Sequence, residues 1–349
     1  MRTTTIIPAL LAGSISPSHA LTLRLPRSLL PRWPLSTLEI SKPPITPAFS
    51  ESSQDAHLQT DLSPVAYTTT PWPANWLPKS CLEEASNNGL HPSDIEVTDV
   101  FYTDCAAPWT ICRHRATPLT WAQILTTLSQ VPVGMRQHVS NLLVLPSKSP
   151  LLKTAAAYTR GSVLVFTPTF FKLGVLFHEF THIMDTAAPA LQDAVRSQAG
   201  KYPPGTPFSR TELWAAAVGK DSALPTPYAG TTWQEDFADA GRWAMSDMTH
   251  AGGLGVYSAG WTACRNQIGA YEAWMGGIIF TRDGMCTGKV PSSRAVEVPV
   301  SRGAMAGGEM GRRPPKATLE GVDVMEIVLP AGAEDMLYVY QGPMPGMEY

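Results

Sequence analysis

Residues 176–185 read LFHEFTHIMD. His178 and His182 stand four positions apart with Glu179 between them. They either hold a metal ion or are core residues that share a face. The surrounding run FFKLGVLFHEFTHIM, Phe170 to Met184, predicts a helix that is apolar on nearly all sides and therefore buried. Phe171, Val175, His178, His182 and Asp185 fall along one stripe at three- and four-residue steps. The two imidazoles point the same way, one turn apart. So placed, they can hold a tetrahedral metal at about 2.0–2.1 Å each. Glu179 projects beside that stripe, where it can take the proton of an attacking water. One buried histidine reads as a hydrogen-bonded core residue. Several buried polar groups without a shared partner cost roughly 1–3 kcal/mol each, which favours the metal.

A catalytic zinc takes three protein ligands and keeps a fourth position for water. A third ligand from the same helix would need Gly at 185 and His at 188, but the chain has Asp185 and Ala188. Asp185 lies too close along the helix to curl around the same ion. It is a candidate to orient a ligand imidazole. The better source is TTWQEDFADAGRWAM, residues 231–245. On a helix, Glu235, Asp239 and Arg242 share one face. Glu235 can complete a His-His-Glu set, Asp239 can accept from the other N–H of a ligand histidine, and Arg242 can neutralise part of the acidic cluster. The same segment has a bland reading. Thr232-Trp-Gln-Glu235 fits a capping box, which would occupy the Glu235 carboxylate and leave Asp236 as the alternative ligand.

HEFTHIMD followed by EDFADAGRWAM resembles the gluzincin-type catalytic domain of anthrax lethal factor. It is also similar to a group of secreted fungal proteins described as conidiation-specific and as metallopeptidases. The likeness spans roughly residues 100–290, and its two helices carry it. It implies an α+β, zincin-like metallopeptidase fold: an active-site HExxH helix, a small mixed sheet and a second helix supplying the glutamate. It implies one zinc per chain on His178, His182 and Glu235, with Asp239 as the second acid. It places a tyrosine shortly before the ligand glutamate, and Tyr228 in PTPYAG matches that position. A phenol O–H there can donate to a developing oxyanion; as a plain turn residue, Tyr228 would need no such role. The chain departs from the pattern at Thr181, where Gly is common, and at Gly241, where an aromatic is common.

Outward from these helices, Thr117-Pro118 predicts a helix start and a helix to about Val131. HVSNLLVLP at 138–146 and GSVLVFTP at 161–168 read as strands. The second precedes the HEFTH helix, and the resemblance to zincins implies that it is the cleft-edge strand, expected to pair with an extended substrate. Residues 197–231 read as a polar loop. VDVMEIVLP and MLYVYQ read as short closing strands.

Arg2, the apolar TTTIIPALLAGSI and Ser18-His19-Ala20 predict a secretory signal over 1–20 and an extracellular protein. Residues 21–75, rich in Pro and Ser, read as a pro-segment or disordered arm, with the zincin-like domain over 76–349. In an oxidising compartment the five cysteines should pair with one left over. The simplest scheme joins Cys105–Cys112 and Cys264–Cys286 and leaves Cys81 free. A net charge of −3 from 26 basic and 29 acidic groups argues against nucleic acid as a partner, and no stretch suits a membrane span.

The residues together predict a secreted zinc endopeptidase with a peptide or protein substrate and Glu179 as general base. The alternative is a secreted non-catalytic binding or developmental protein on the same scaffold. A cysteine hydrolase using Cys264 or Cys286 with His250 is a third, weaker reading.

Overall fold

Every residue from Asn141 to Leu145 is buried, a pattern that a strand shows when both its faces are covered. Leu142 and Val144 join Ile111, Leu164 and Phe166 in one core, while Leu143 and Leu145 join Val97, Cys112 and Val165 in another. This period-two division makes the sheet the middle of three layers. The structure, a computed structural model, describes residues 40–147, 157–198, 201–298 and 337–339.

In chain order the elements are α1 (Glu51–Asp61), β1 (Tyr67–Pro71), β2 (Trp76–Pro78), α2 (Lys79–Asn87), β3 (Ile95–Tyr102), β4 (Trp109–His114), α3 (Trp121–Ser129), α4 (Val133–Arg136) and β5 (Asn141–Val144). There follow β6 (Ala157–Arg160), β7 (Val163–Phe166), α5 (Leu173–Ala187), α6 (Pro189–Ser197), α7 (Glu212–Gly219), α8 (Trp233–Thr249), α9 (Arg265–Ile279), β8 (Ala295–Glu297) and β9 (Leu337–Val339). Among the described residues the main sheet runs β1-β3-β4-β5-β7-β6-β9. β4, β5 and β7 are parallel neighbours and the remaining pairs are antiparallel, so the sheet is mixed and the chain is α+β. Helix α2 supplies Cys81 and Ala85 to the smaller core. Helices α5 and α8 pack on the larger one.

Several expectations change here. β7 lies between β5 and β6, so GSVLVFTP is an interior strand and its backbone is already paired on both sides. Helix α3 starts four residues after Thr117. Thr120 Oγ1 accepts from Gln123 N at 3.2 Å and Gln123 Oε1 accepts from Thr120 N at 2.8 Å, a complete capping box. The stretch read as loop contains α7, whose Trp214, Ala217 and Val218 are buried. The MLYVYQ strand is present as β9; VDVMEIVLP lies outside the described residues, as does the expected signal over 1–20.

The expected arm over 21–75 is also revised. From residue 40 the chain belongs to the same unit as the sheet. Ser50 caps α1, and Gln54 and Leu58 are buried. Gln54 Nε2 donates to the Arg242 carbonyl at 3.2 Å and to Ser246 Oγ at 2.8 Å. Asp55 Oδ1 accepts from Gly174 N at 2.9 Å. Helix α5 has no side-chain cap of its own, so an acid from α1 satisfies an orphan amide in its first turn.

The disulfide scheme is corrected as well. Cys81 joins Cys112 and Cys105 joins Cys286; Cys264 is the free thiol. Spacing misleads because Cys112 faces the small core, toward α2, whereas Cys105 sits in the β3–β4 turn, where Cys286 N donates to the Asp104 carbonyl at 2.9 Å. Non-reducing peptide mapping is expected to recover those two linked pairs. Thiol reagent should titrate Cys264 in denaturant and leave it unreacted in the native protein, because its side chain is fully buried. A Cys264–Cys286 peptide would contradict the fold.

Candidate metal centre

Helices α5 and α8 cross closely, and the crossing depends on one missing side chain. A Cβ on Gly241 would lie 2.4 Å from Thr181 Oγ1 and 2.7 Å from Tyr271. Thr181 therefore occupies the space that Gly241 leaves. Its hydroxyl donates to the Phe177 carbonyl at 2.8 Å and meets Tyr271 Oη at 3.0 Å. The two departures from the gluzincin-like pattern thus face each other. Thr181 on α5 supplies the bulk at the crossing, and Gly241 on α8 leaves the room for it.

This crossing brings together His178, His182 and Glu235, the three residues whose ligand atoms converge. His178 Nε2 and His182 Nε2 are 3.1 Å apart. Glu235 Oε2 is 3.0 Å from the first and 3.2 Å from the second. A tetrahedral ion with bonds of 2.0–2.1 Å separates its ligand atoms by about 3.3–3.4 Å. The three spacings fit such an ion with a small outward relaxation, and two imidazoles with one carboxylate are a zinc donor set.

The capping question is settled by a division of labour. Thr232 Oγ1 accepts from the Glu235 amide at 3.1 Å, so the backbone half of the cap is made. The Glu235 carboxylate lies against the imidazoles instead. Asp236 is not the third ligand: its Oδ2 accepts from Trp214 Nε1 at 2.8 Å, on the far side of α8. Burial pushes its carboxyl well above the usual range.

Asp239 does what the spacing suggests. Its Oδ1 lies 2.9 Å from His178 Nδ1, which leaves Nε2 to face Glu235. Its Oδ2 accepts from the Thr226 hydroxyl, which itself accepts from Ala229 N at 3.1 Å. Asp185 is held elsewhere. It accepts from Ser209 N at 2.8 Å and Ser209 Oγ at 2.5 Å, tying the end of α5 to the 208–210 turn. Burial raises its carboxyl to about 6, against the pull of those bonds. Arg242 turns to α1: Nε donates to Gln54 Oε1 at 2.7 Å and Nη1 meets Glu51 Oε1 at 3.2 Å. Tyr228 stands at a 3-10 turn with its ring 5.8 Å from that of His178. Thr226 and Ser209 carry no motif signal. They are ordinary turn residues until the fold brings them to the two acids.

Glu179 is fully buried, and neither carboxylate oxygen has a partner among the described residues. Burial pushes its carboxyl up to about 8. An orphaned buried carboxyl beside a converging His-His-Glu set fits a site that could hold a metal ion. The cysteine-hydrolase reading has no support here. Burial raises the Cys264 thiol to about 12, Cys286 is in a disulfide, and His250 is engaged by Asp61 at 2.6 Å.

A model of the conidiation-specific protein Con-13 family matches residues 51–312. The chain belongs to the Con-13 family. That match starts at the first residue of α1, in keeping with α1 as part of the fold. Conidiation-specific protein 13 of Neurospora crassa is 31% identical over 196 residues, 54% of this chain and 51% of that protein. The chain thus spans about half the length of that curated relative. No solved structure matches the chain.

Two expectations follow for this Con-13 family member. Burial lowers the proton affinity of His178, but hydrogen bonds to Asp239 and Glu235 outweigh it and hold the imidazolium up to about 10. Burial likewise opposes the Glu235 charge, but the neighbouring imidazoles, His182 first, hold that carboxyl far below the usual range. The His178 proton stabilises the metal-free chain fully below its ordinary value near 6.5, and that contribution is lost as pH rises through about 10. A metal needs the neutral imidazole, so zinc titrated into metal-free protein near pH 7.5 should release about one proton. Calorimetry in buffers of different ionisation enthalpy reads this; equal heats would contradict it. Gly241→Ala should cost about 1–3 kcal/mol by overpacking, read as a lower midpoint in urea. Adding Thr181→Ala should return part of that loss; full additivity would mean the two residues do not share the space.

Proposed function

We propose that the chain is a secreted zinc endopeptidase of the gluzincin type. The observation that carries the reading is the unpartnered Glu179 carboxyl buried beside His178, His182 and Glu235. When bound by those three side chains, zinc would supply Lewis acidity to the scissile carbonyl and acidify the attacking water toward pKa ~7. Glu179 takes the proton of that water and passes it to the leaving amine; its carboxyl, already held high by burial, suits both roles. Asp239 fixes the His178 ring through Nδ1. The Tyr228 phenol donates to the oxyanion that forms on the carbonyl. The substrate class is a peptide or protein. Two disulfides and the basic-apolar start ending in Ser18-His19-Ala20 support secretion. No helix of the described residues is long and apolar enough to cross a membrane.

One observation favours the second reading, a secreted non-catalytic binding or developmental protein on the same scaffold. His178, His182 and Glu235 are only 1%, 2% and 6% exposed, so a polypeptide has little direct access to the triad. The name of the Neurospora crassa relative, conidiation-specific protein 13, agrees with a developmental role and is silent on chemistry. Cleavage of a mixed peptide library by wild type and Glu179→Gln separates the two. Proteolysis predicts a rate lower by about 10²–10⁴-fold in the variant with zinc content unchanged. Equal background from both proteins favours the binding role.

A further inference from the structure

Among the described residues, strand β1 ends the main sheet, and it is open. Four of its five residues are exposed, and the sequence Tyr-Thr-Thr-Thr-Pro contains no charge. Natural edges are commonly blunted by charges, prolines, bulges or a covering element; this one carries a proline only at its last residue, Pro71, and no charge. The register identifies which groups are open. Trp72 N donates to the Val97 carbonyl at 2.9 Å and Thr103 N donates to the Ala66 carbonyl at 3.0 Å. Even-numbered residues of this stretch therefore bond β3, and the amides of Tyr67 and Thr69 and the carbonyls of Tyr67, Thr69 and Pro71 face outward. They have no backbone partner among the described residues.

Beside that edge lies a cleft of about 400 Å³, lined by Thr69, Pro71, Trp72, Trp76 and Trp121. It is of ligand-binding size. The Trp72 indole N–H is buried without a partner among the described residues. Arg115 and Glu96 also line the cleft, and Arg113 stacks over Trp121 at 5.7 Å. Glu96 meets Arg113 at 2.9 Å and Arg115 at 3.5 Å, and of the two guanidinium groups Arg115 is the one that lines the cleft, with its side chain 56% exposed.

We propose that the β1 edge and the tryptophan cleft form a binding site for an extended acidic polypeptide segment, added to the sheet beside β1. Outward amides and carbonyls two residues apart match an extended backbone, which a saccharide or a lipid chain does not offer. Alternate side chains of an added strand point to one face, so residues i and i+2 enter the cleft against the indoles. The exposed Arg115 guanidinium selects an acidic neighbour. The site lies beyond β3, β4 and β5 from β7, roughly 19 Å across the sheet at 4.8 Å per strand, and it rests on neither the metal centre nor catalysis.

The test titrates the full chain with a capped strand-forming peptide, Asp-Phe-Thr-Phe-Thr-Glu, followed by tryptophan fluorescence and calorimetry. Thr69→Pro removes an outward N–H and leaves the bonds to β3 in place, because proline is tolerated where a strand edge faces solvent. Saturable binding is expected, weakened roughly tenfold or more by Thr69→Pro. The same peptide N-methylated on alternate amides should also lose binding to wild type, which guards against a folding defect in the variant. Replacing the acidic ends by lysine should weaken it further. No binding at millimolar peptide, binding indifferent to Thr69→Pro and N-methylation, equal binding of the lysine peptide, or capture of cellohexaose instead would each overturn the proposal.

Discussion

The close crossing of α5 and α8 at Gly241 is the constraint on which the rest depends. With no Cβ at 241, Thr181 and Tyr271 fill the gap, and α8 comes close enough for Glu235 to reach both imidazoles. Three ligand atoms then lie 3.0–3.2 Å apart inside the protein. Polar groups gathered this way are costly to bury unless a proton or an ion unites them. Hydrogen bonds to Asp239 and Glu235 favour a proton on His178, and the same geometry suits a cation.

Helix α1 explains how the crossing is kept in place. Asp55 caps α5, while Gln54 and Glu51 engage Arg242 and Ser246 on α8. A short helix from the N-terminal segment therefore bridges both helices that carry the site. Positioning of this kind is needed wherever a displacement of an ångström would spoil a ligand set. It gives the proline-rich region from residue 40 a structural role, whatever becomes of the residues before it.

The HEFTH helix was legible because its stripe is long and its polar residues sit on an apolar background. The α8 face was legible for the same reason, with Glu235 and Asp239 one turn apart. The choice between cap and ligand at Glu235 was not, since backbone and side chain of one residue serve both ends. The α1 partners of Arg242 were not legible, because Gln54 lies 188 residues away, on a helix whose sequence, ESSQDAHLQTD, is too polar to announce itself. β7 was misread as an edge because β6, a four-residue strand, carries little period of its own. The disulfides followed tertiary proximity, which spacing does not encode.

The account stands or falls on whether the triad binds zinc. Elemental analysis of purified full-length protein, loaded with zinc and desalted, tests this directly alongside His182→Ala and Glu235→Ala. About one zinc per chain in wild type and almost none in either variant, with circular dichroism unchanged, is the predicted result. Wild type that retains no metal after zinc is supplied would contradict it, and His178, His182 and Glu235 would then be a proton-sharing core cluster.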